Sequence, residues 1–214
     1  MKSPIDYSLY LVISQSDCLG RDIFEVLEQA IQGGVSLVQL REKTMPTRQL
    51  VALAKEMKGF LAQHNIPLII NDRIGVALAA NADGVHVGQD DMHPLDVRPL
   101  IGPQRILGLS INTAAELQES ITLPVDYLGI GPVFATQTKK DSHPVVGPDG
   151  LASLCRQKHV PAVGIGGITA RYAPQVFAAG AEGIAVVSAI CGAKSPKDAA
   201  AALKRCIMAQ HRQL

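Results

Sequence analysis

The stretch "ALAANADGVHVG", Ala77 to Gly88, decides the fold. An apolar helix end stops at Asn81 and Asp83, and a short apolar run follows. The same grammar recurs in "AIQGGVSLVQL" from Ala30 and in "VFAAGAEGIAVV" from Val176. Gly or Asn just past a helix end takes the left-handed conformation at little cost. The run after it reads as a buried strand. Each stretch is therefore a joint from helix to strand, and a phrase repeated along a chain marks a repeated βα unit.

Working outward from these joints gives eight candidate strands: Leu9–Ser14, Leu37–Leu40, Leu68–Asn71, Gly84–Val87, Ile106–Ser110, Tyr127–Gly131, Ala162–Ile165 and Gly183–Val187. Helical spacing fills most of the gaps, over Asp22–Gln32, Thr47–His64 and a last helix from Pro196 or Lys197 to about Met208. Thr113–Ser120 opens with "TAAE", a capping box in which Thr113 and Glu116 exchange bonds with each other's backbone. The alternation predicts one (β/α)8 barrel, an α/β TIM fold, as a single compact domain over residues 1–214. An open doubly wound sheet would want a Gly-rich nucleotide loop after the first strand, and "VISQSDCLG" is not one.

Composition agrees with a parallel sheet covered by helices. Hydrophobic residues are 47% of the chain and aromatics only 4%, so aliphatic side chains must fill the core. A net charge of +1 offers no broad field for nucleic acid or an anionic membrane. Any anion site must be local. The four cysteines show neither C-x-x-C pairing nor zinc spacing and are expected as free thiols in a reducing cytoplasm. The N-terminus lacks the layout of a signal peptide, and no apolar stretch is long enough to span a bilayer.

In such a barrel the chemistry stands at the C-terminal ends of the strands. "IINDR", Ile69 to Arg73, and "GVHVGQDD", Gly84 to Asp91, both end in acids. "QLREK", Gln39 to Lys43, carries Arg41 and Lys43, and the strand-6 loop carries Lys139. Carboxylates would repel a phosphate unless a Mg2+ stood between them, and Mg2+ takes one or two carboxylates plus waters and phosphate oxygens. Asp72 and Asp91 are thus expected as Mg2+ ligands in a metal–diphosphate site. The plainer reading pairs Asp72 with Arg73 or Arg41 and makes Asp90 or Asp91 a helix cap near Pro94. Gly166 and Gly167, with Ser188 opening a short helix, read as a phosphate cradle after strands 7 and 8. His86 alternates with Val85 and Val87 and either points into the barrel or packs quietly.

Taken in order, "VQLREK", "IINDR", "GVHVGQDD", "GPVFATQTKKD", "GIGGI" and "AVVSAI" resemble the thiamin phosphate synthase family over nearly the whole chain. That family has a (β/α)8 fold. It joins hydroxymethylpyrimidine diphosphate to a thiazole phosphate and releases diphosphate. The resemblance implies a transferase that acts on small phosphorylated substrates. It places the pyrimidine diphosphate on Gln39, Arg41, Lys43, Asn71 and Lys139, with Leu40 and Glu42 inside the same binding stretch, and the pyrimidine on Ser110. It matches Thr136, Gln137, Thr138, Gly167, Val187 and Ser188 to the thiazole-phosphate pocket, and Asp72 and Asp91 to Mg2+. Lys139, Arg41, Lys43 and Ser110 are the implied catalytic groups. Similar proteins often carry His two residues after that Ser, where this chain has Asn112. The alternatives are a thiazole tautomerase-like barrel, another phosphate-binding barrel isomerase or lyase, and a barrel that only binds a phosphate metabolite. A homo-oligomer is compatible with all of them.

Overall fold

A computed structural model describes residues 5–136 and 144–211. Eight parallel strands close into a barrel in chain order, each paired with its neighbours and β8 with β1. They are β1 Leu9–Ile13, β2 Leu37–Leu40, β3 Leu68–Asn71, β4 Gly84–Val87, β5 Ile106–Ile111, β6 Tyr127–Ile130, β7 Ala162–Ile165 and β8 Gly183–Val186. Around them stand α1 Ile23–Gln32, α2 Thr47–Ala62, α3 Ile74–Ala79, α4 Pro94–Ile101, α5 Ala114–Ser120, α6 Gly147–Cys155, α7 Ala173–Ala178, α8 Ser188–Cys191 and α9 Pro196–His211. Strands expected from the sequence agree to within a residue at each end. The second helix stops two residues early, and the last runs three further.

Local signals explain the helix starts. Asp22 caps α1 by accepting from the Phe24 and Glu25 amides, at 2.9 and 3.1 Å. Thr113 and Glu116 form the expected capping box at α5. Strand alternation sorts the apolar side chains into two layers. Leu11, Val38, Ile70, Val85, Leu107, Leu128 and Ile184 pack outward against the helices. Tyr10, Val12, Leu37, Ile69, Ile106, Tyr127, Val163 and Ala185 fill the barrel itself. All four cysteines are free thiols, three of them buried.

The bottom of the barrel repeats one device four times. The residue just before each even strand exchanges two bonds with an early residue of the preceding odd strand. Ser36 Oγ accepts from the Leu9 amide at 3.2 Å, Asp83 from Leu68 at 2.7 Å, Asp126 from Leu107 at 2.8 Å and Glu182 from Ala162 at 2.8 Å. In return the Ser36, Asp83, Asp126 and Glu182 amides donate to the carbonyls of those same partners. The three acids each also hold a cation: Lys58 at 2.7 Å, Arg98 at 2.7 Å and Lys158 at 2.6 Å respectively. The chain is thus stapled as four (βα)2 units.

Candidate active site

The opposite end of the barrel holds the groups singled out in the sequence. Strand parity decides which of them face the mouth. Gln39 points inward from β2 and is 4% exposed, while Leu40 points outward into the strand–helix layer and is 1% exposed. Any part for Leu40 in binding therefore falls to its backbone. Arg41 continues the inward parity, half-buried, with its amide on the Ile13 carbonyl at 2.9 Å. Glu42 is taken up elsewhere: its carboxylate accepts from the Gln15 amide at 2.6 Å, tying the β2 loop to the β1 loop.

Asn71 ends β3, and the next residue, Asp72, has φ +58°. Left-handed backbone is uncommon outside Gly, and Asp is among the residues that tolerate it. The Asp72 amide donates to the His86 carbonyl at 2.8 Å, which fixes that turn against β4. There the Asp72 carboxyl lies within hydrogen-bonding reach of Asp91. Burial, and then the Asp91 carboxylate beside it, push the Asp72 carboxyl up to about 6, against the pull of Lys43 and Arg41. Lys43 Nζ stands 3.7 Å from Asp72 Oδ2. Arg73 turns away to the Met45 carbonyl at 2.9 Å and to the Thr47 hydroxyl, at the start of α2. The cap of α4 is His93, whose Nδ1 accepts from the Leu95 amide. Asp91 accepts instead from Gly88 in its own loop, at 2.7 Å. Arg73 is thus engaged away from Asp72, and the capping role expected for Asp90 or Asp91 belongs to His93.

Two carboxylates set against each other near Lys43 and Arg41 suit a hard, oxygen-seeking cation. Among the described residues no group of three or more His, Cys, Asp or Glu converges on one point. Two protein oxygens would leave the rest of a Mg2+ shell to water and ligand.

Beneath the mouth runs a buried polar chain that sequence reading did not foresee. Gln39 Nε2 donates to the Tyr10 hydroxyl at 2.7 Å, and Tyr10 bonds Tyr127 at 2.9 Å. Tyr127 bonds His86 Nδ1 at 2.8 Å, and His86 Nε2 bonds Ser110 Oγ at 2.8 Å. The chain links two of the expected substrate contacts, Gln39 and Ser110. It needs Gly108 between its members, because a Cβ there would overlap both the Tyr127 ring and the His86 imidazole. Inward-facing glycines at 108 and 129, beside an inward His86, were the signal available in the sequence. Asn112, also on β5's inward parity, donates its side-chain amide to the Gly131 carbonyl and so ties the ends of β5 and β6.

Across the mouth, Gly166 and Gly167 take φ +97° and +65° in succession. A Cβ on Gly167 would press on Phe134 and the Ala135 carbonyl, so the β7 turn packs directly under the β6 loop. Phe134 stacks on Tyr172 with ring centroids 4.5 Å apart. Val187 follows β8 and Ser188 opens α8 on the same rim. Thr136 is half-buried at the end of the described part of that loop; Gln137, Thr138 and Lys139 lie outside the described residues.

Comparison with known proteins points one way. The model of the family described as thiamine monophosphate synthase matches residues 9–190. The chain is 47% identical to a thiamine-phosphate synthase of Xanthobacter autotrophicus, over 98% of this chain and 99% of that one. It is 52% identical to one from Solidesulfovibrio magneticus, over 95% of this chain and 97% of the other. Among solved structures, a thiamine phosphate pyrophosphorylase from Pyrococcus furiosus superimposes with a TM-score of 0.86 at 31% identity, covering 95% of this chain and 96% of its own. With its closed barrel and full-length similarity, the chain belongs to the thiamine monophosphate synthase family.

Proposed function

We propose that this protein is a Mg2+-dependent thiamin phosphate synthase, which couples hydroxymethylpyrimidine diphosphate to hydroxyethylthiazole phosphate and releases diphosphate. The observation that carries this reading is the pair Asp72 and Asp91, set against each other beside Lys43 and Arg41. Full-length similarity to proteins named thiamine-phosphate synthase supports it. Balanced charge suits a small-molecule enzyme of the cytoplasm, and no described helix is long and apolar enough to cross a membrane.

The reaction breaks the bond between the pyrimidine methylene and the diphosphate oxygen, and the electron pair leaves with the diphosphate. The aminopyrimidine donates electrons to the methylene cation that remains. The thiazole nitrogen then supplies its lone pair to the new C–N bond and becomes the thiazolium. That nitrogen carries no proton, so the coupling calls for no general base. What the protein must supply is position and charge neutralisation.

Asp72 and Asp91 would hold the Mg2+, which, when bound, supplies positive charge to the diphosphate. Arg41 and Lys43, already beside these acids, neutralise charge on the same group as it grows. Gln39 and Ser110 orient the pyrimidine, and Asn71 at the end of β3 completes that side with the Leu40 backbone. Lys139, outside the described residues, is assigned the departing diphosphate. Gly167, Val187 and Ser188, with Thr136, Gln137 and Thr138 from the β6 loop, hold the thiazole phosphate.

The test is to mix both substrates with and without Mg2+ and follow products by chromatography and mass spectrometry. Thiamin phosphate and diphosphate should appear one for one, and only with the metal. Absence of thiamin phosphate under those conditions would overturn the proposal. Isomerisation of the thiazole without the pyrimidine substrate would point to the tautomerase instead.

A further inference from the structure

The buried chain from Gln39 to Ser110 has a direction. We propose that Tyr127 is a positioning residue whose hydroxyl sets the His86 tautomer, and through it makes Ser110 a hydrogen-bond donor toward the mouth. The inference rests on the synthase reading for what Ser110 meets there.

The direction follows from counting protons. The Gln39 amide nitrogen only donates, so Tyr10 receives from it. Tyr10 is fully buried, and burial pushes both phenols above their ordinary value, so each keeps its proton at neutral pH. A buried hydroxyl that accepts on one side gives its proton on the other, since an unpaired buried donor is costly. Tyr10 therefore donates to Tyr127. By the same reasoning Tyr127 donates to His86 Nδ1. His86 then carries its hydrogen on Nε2 and donates to Ser110 Oγ. An imidazolium would put hydrogens on both nitrogens and strand the Tyr127 proton within the chain. With its oxygen already accepting from His86, Ser110 turns its own hydrogen outward.

The partner for an outward O–H is an acceptor with a lone pair, such as a pyrimidine ring nitrogen, and not an amino group. Among the described residues, Tyr127 directs its side-chain hydrogen bonds to Tyr10 and His86. It acts on the substrate only by holding polarity. Gly108 makes the arrangement possible by leaving room for both rings.

Nitrogen NMR of histidine-labelled, substrate-free protein tests this directly, with the His86 signals identified by their loss in His86→Gln. The expected result near neutral pH is a neutral ring protonated on Nε2. In Tyr127→Phe the Nδ1 donor is gone, and the ring should shift toward the other tautomer. Tyr10→Phe keeps the Tyr127 donor and should leave the tautomer unchanged. In kinetics, Tyr127→Phe should lower kcat/KM for the pyrimidine substrate on the order of 10- to 100-fold. It should leave the thiazole-phosphate KM within about twofold, and add less than about twofold in a Ser110→Ala background. A wild-type ring protonated on Nδ1 would overturn the proposal, as would full additivity of Tyr127→Phe with Ser110→Ala. If Tyr127→Phe does not fold, the wild-type spectrum still decides. If the wild type makes no thiamin phosphate, the functional reading fails while the tautomer still tests the relay.

Discussion

The two ends of this barrel use the same charged residue types in opposite ways. At the bottom, Asp83, Asp126 and Glu182 each accept from a backbone amide and from a Lys or Arg within 2.7 Å. Those acids are satisfied, and they fasten neighbouring strands. At the top, Asp72 and Asp91 face each other, and Lys43, the cation paired with Asp72 among the described residues, stands 3.7 Å away. Asp72 also sits at positive φ. The bottom is arranged for stability. The top holds like charges together, which costs stability, and the proposed Mg2+ between them would relieve that cost.

That contrast can be broken by substitution. The largest effect belongs to the top: Asp72→Asn and Asp91→Asn should each lower kcat on the order of 100-fold or more while the protein stays folded. Retention of Mg2+-dependent turnover in both would end the metal assignment. Next is Gly167→Val. A side chain there meets Phe134 and the Ala135 carbonyl and is strained at φ +65°. The variant should raise the thiazole-phosphate KM far more than the pyrimidine-diphosphate KM. Equal shifts would mean that the two pockets are misplaced.

At the bottom, Asp126→Ala leaves the Leu107 amide and Arg98 without their carboxylate. It should cost about 1–3 kcal/mol in a denaturant melt, with kcat within about twofold of wild type. A large kcat loss at unchanged stability would erase the distinction between the ends. The smallest effect is on titration. In metal-free protein, Asp91→Asn removes the like charge beside Asp72, so the Asp72 carboxyl should titrate below about 6 by carbon NMR. An unchanged value would show that burial alone raises it.

The barrel was legible because each strand is a short apolar run, and three of them follow a Gly, Asn or Asp joint. The acids of the top were legible too, since Asp72 directly follows β3 and Asp91 closes the short loop after β4. The bottom staple was not. Asp83, Asp126 and Glu182 each look like one solvated acid in a turn, and nothing nearby names the amide each receives. Arg73 and His93 escaped for a related reason: adjacency in sequence suggested that Arg73 pairs with Asp72, yet Arg73 serves α2 and His93 caps α4. The Tyr10–Tyr127 bond joins residues 117 apart, and only barrel closure brings them together. Parity alone could have placed Leu40 outside the mouth.

The most direct test of the contrast is the stability of metal-free Asp72→Asn at pH 7. The folded protein holds the Asp72 proton up to about pH 6, against an ordinary value of 3.8. The stability this gives is full below the ordinary value and is lost as pH rises through about 6. At pH 7 the ionised carboxylate is therefore a liability that Asn removes. Asp72→Asn should melt no lower than wild type, and higher by on the order of 1–2 kcal/mol after allowance for solvent screening, even as turnover collapses. A variant that loses stability at pH 7 as Asp126→Ala does would show that Asp72 is a structural acid like those at the bottom, and would contradict the account.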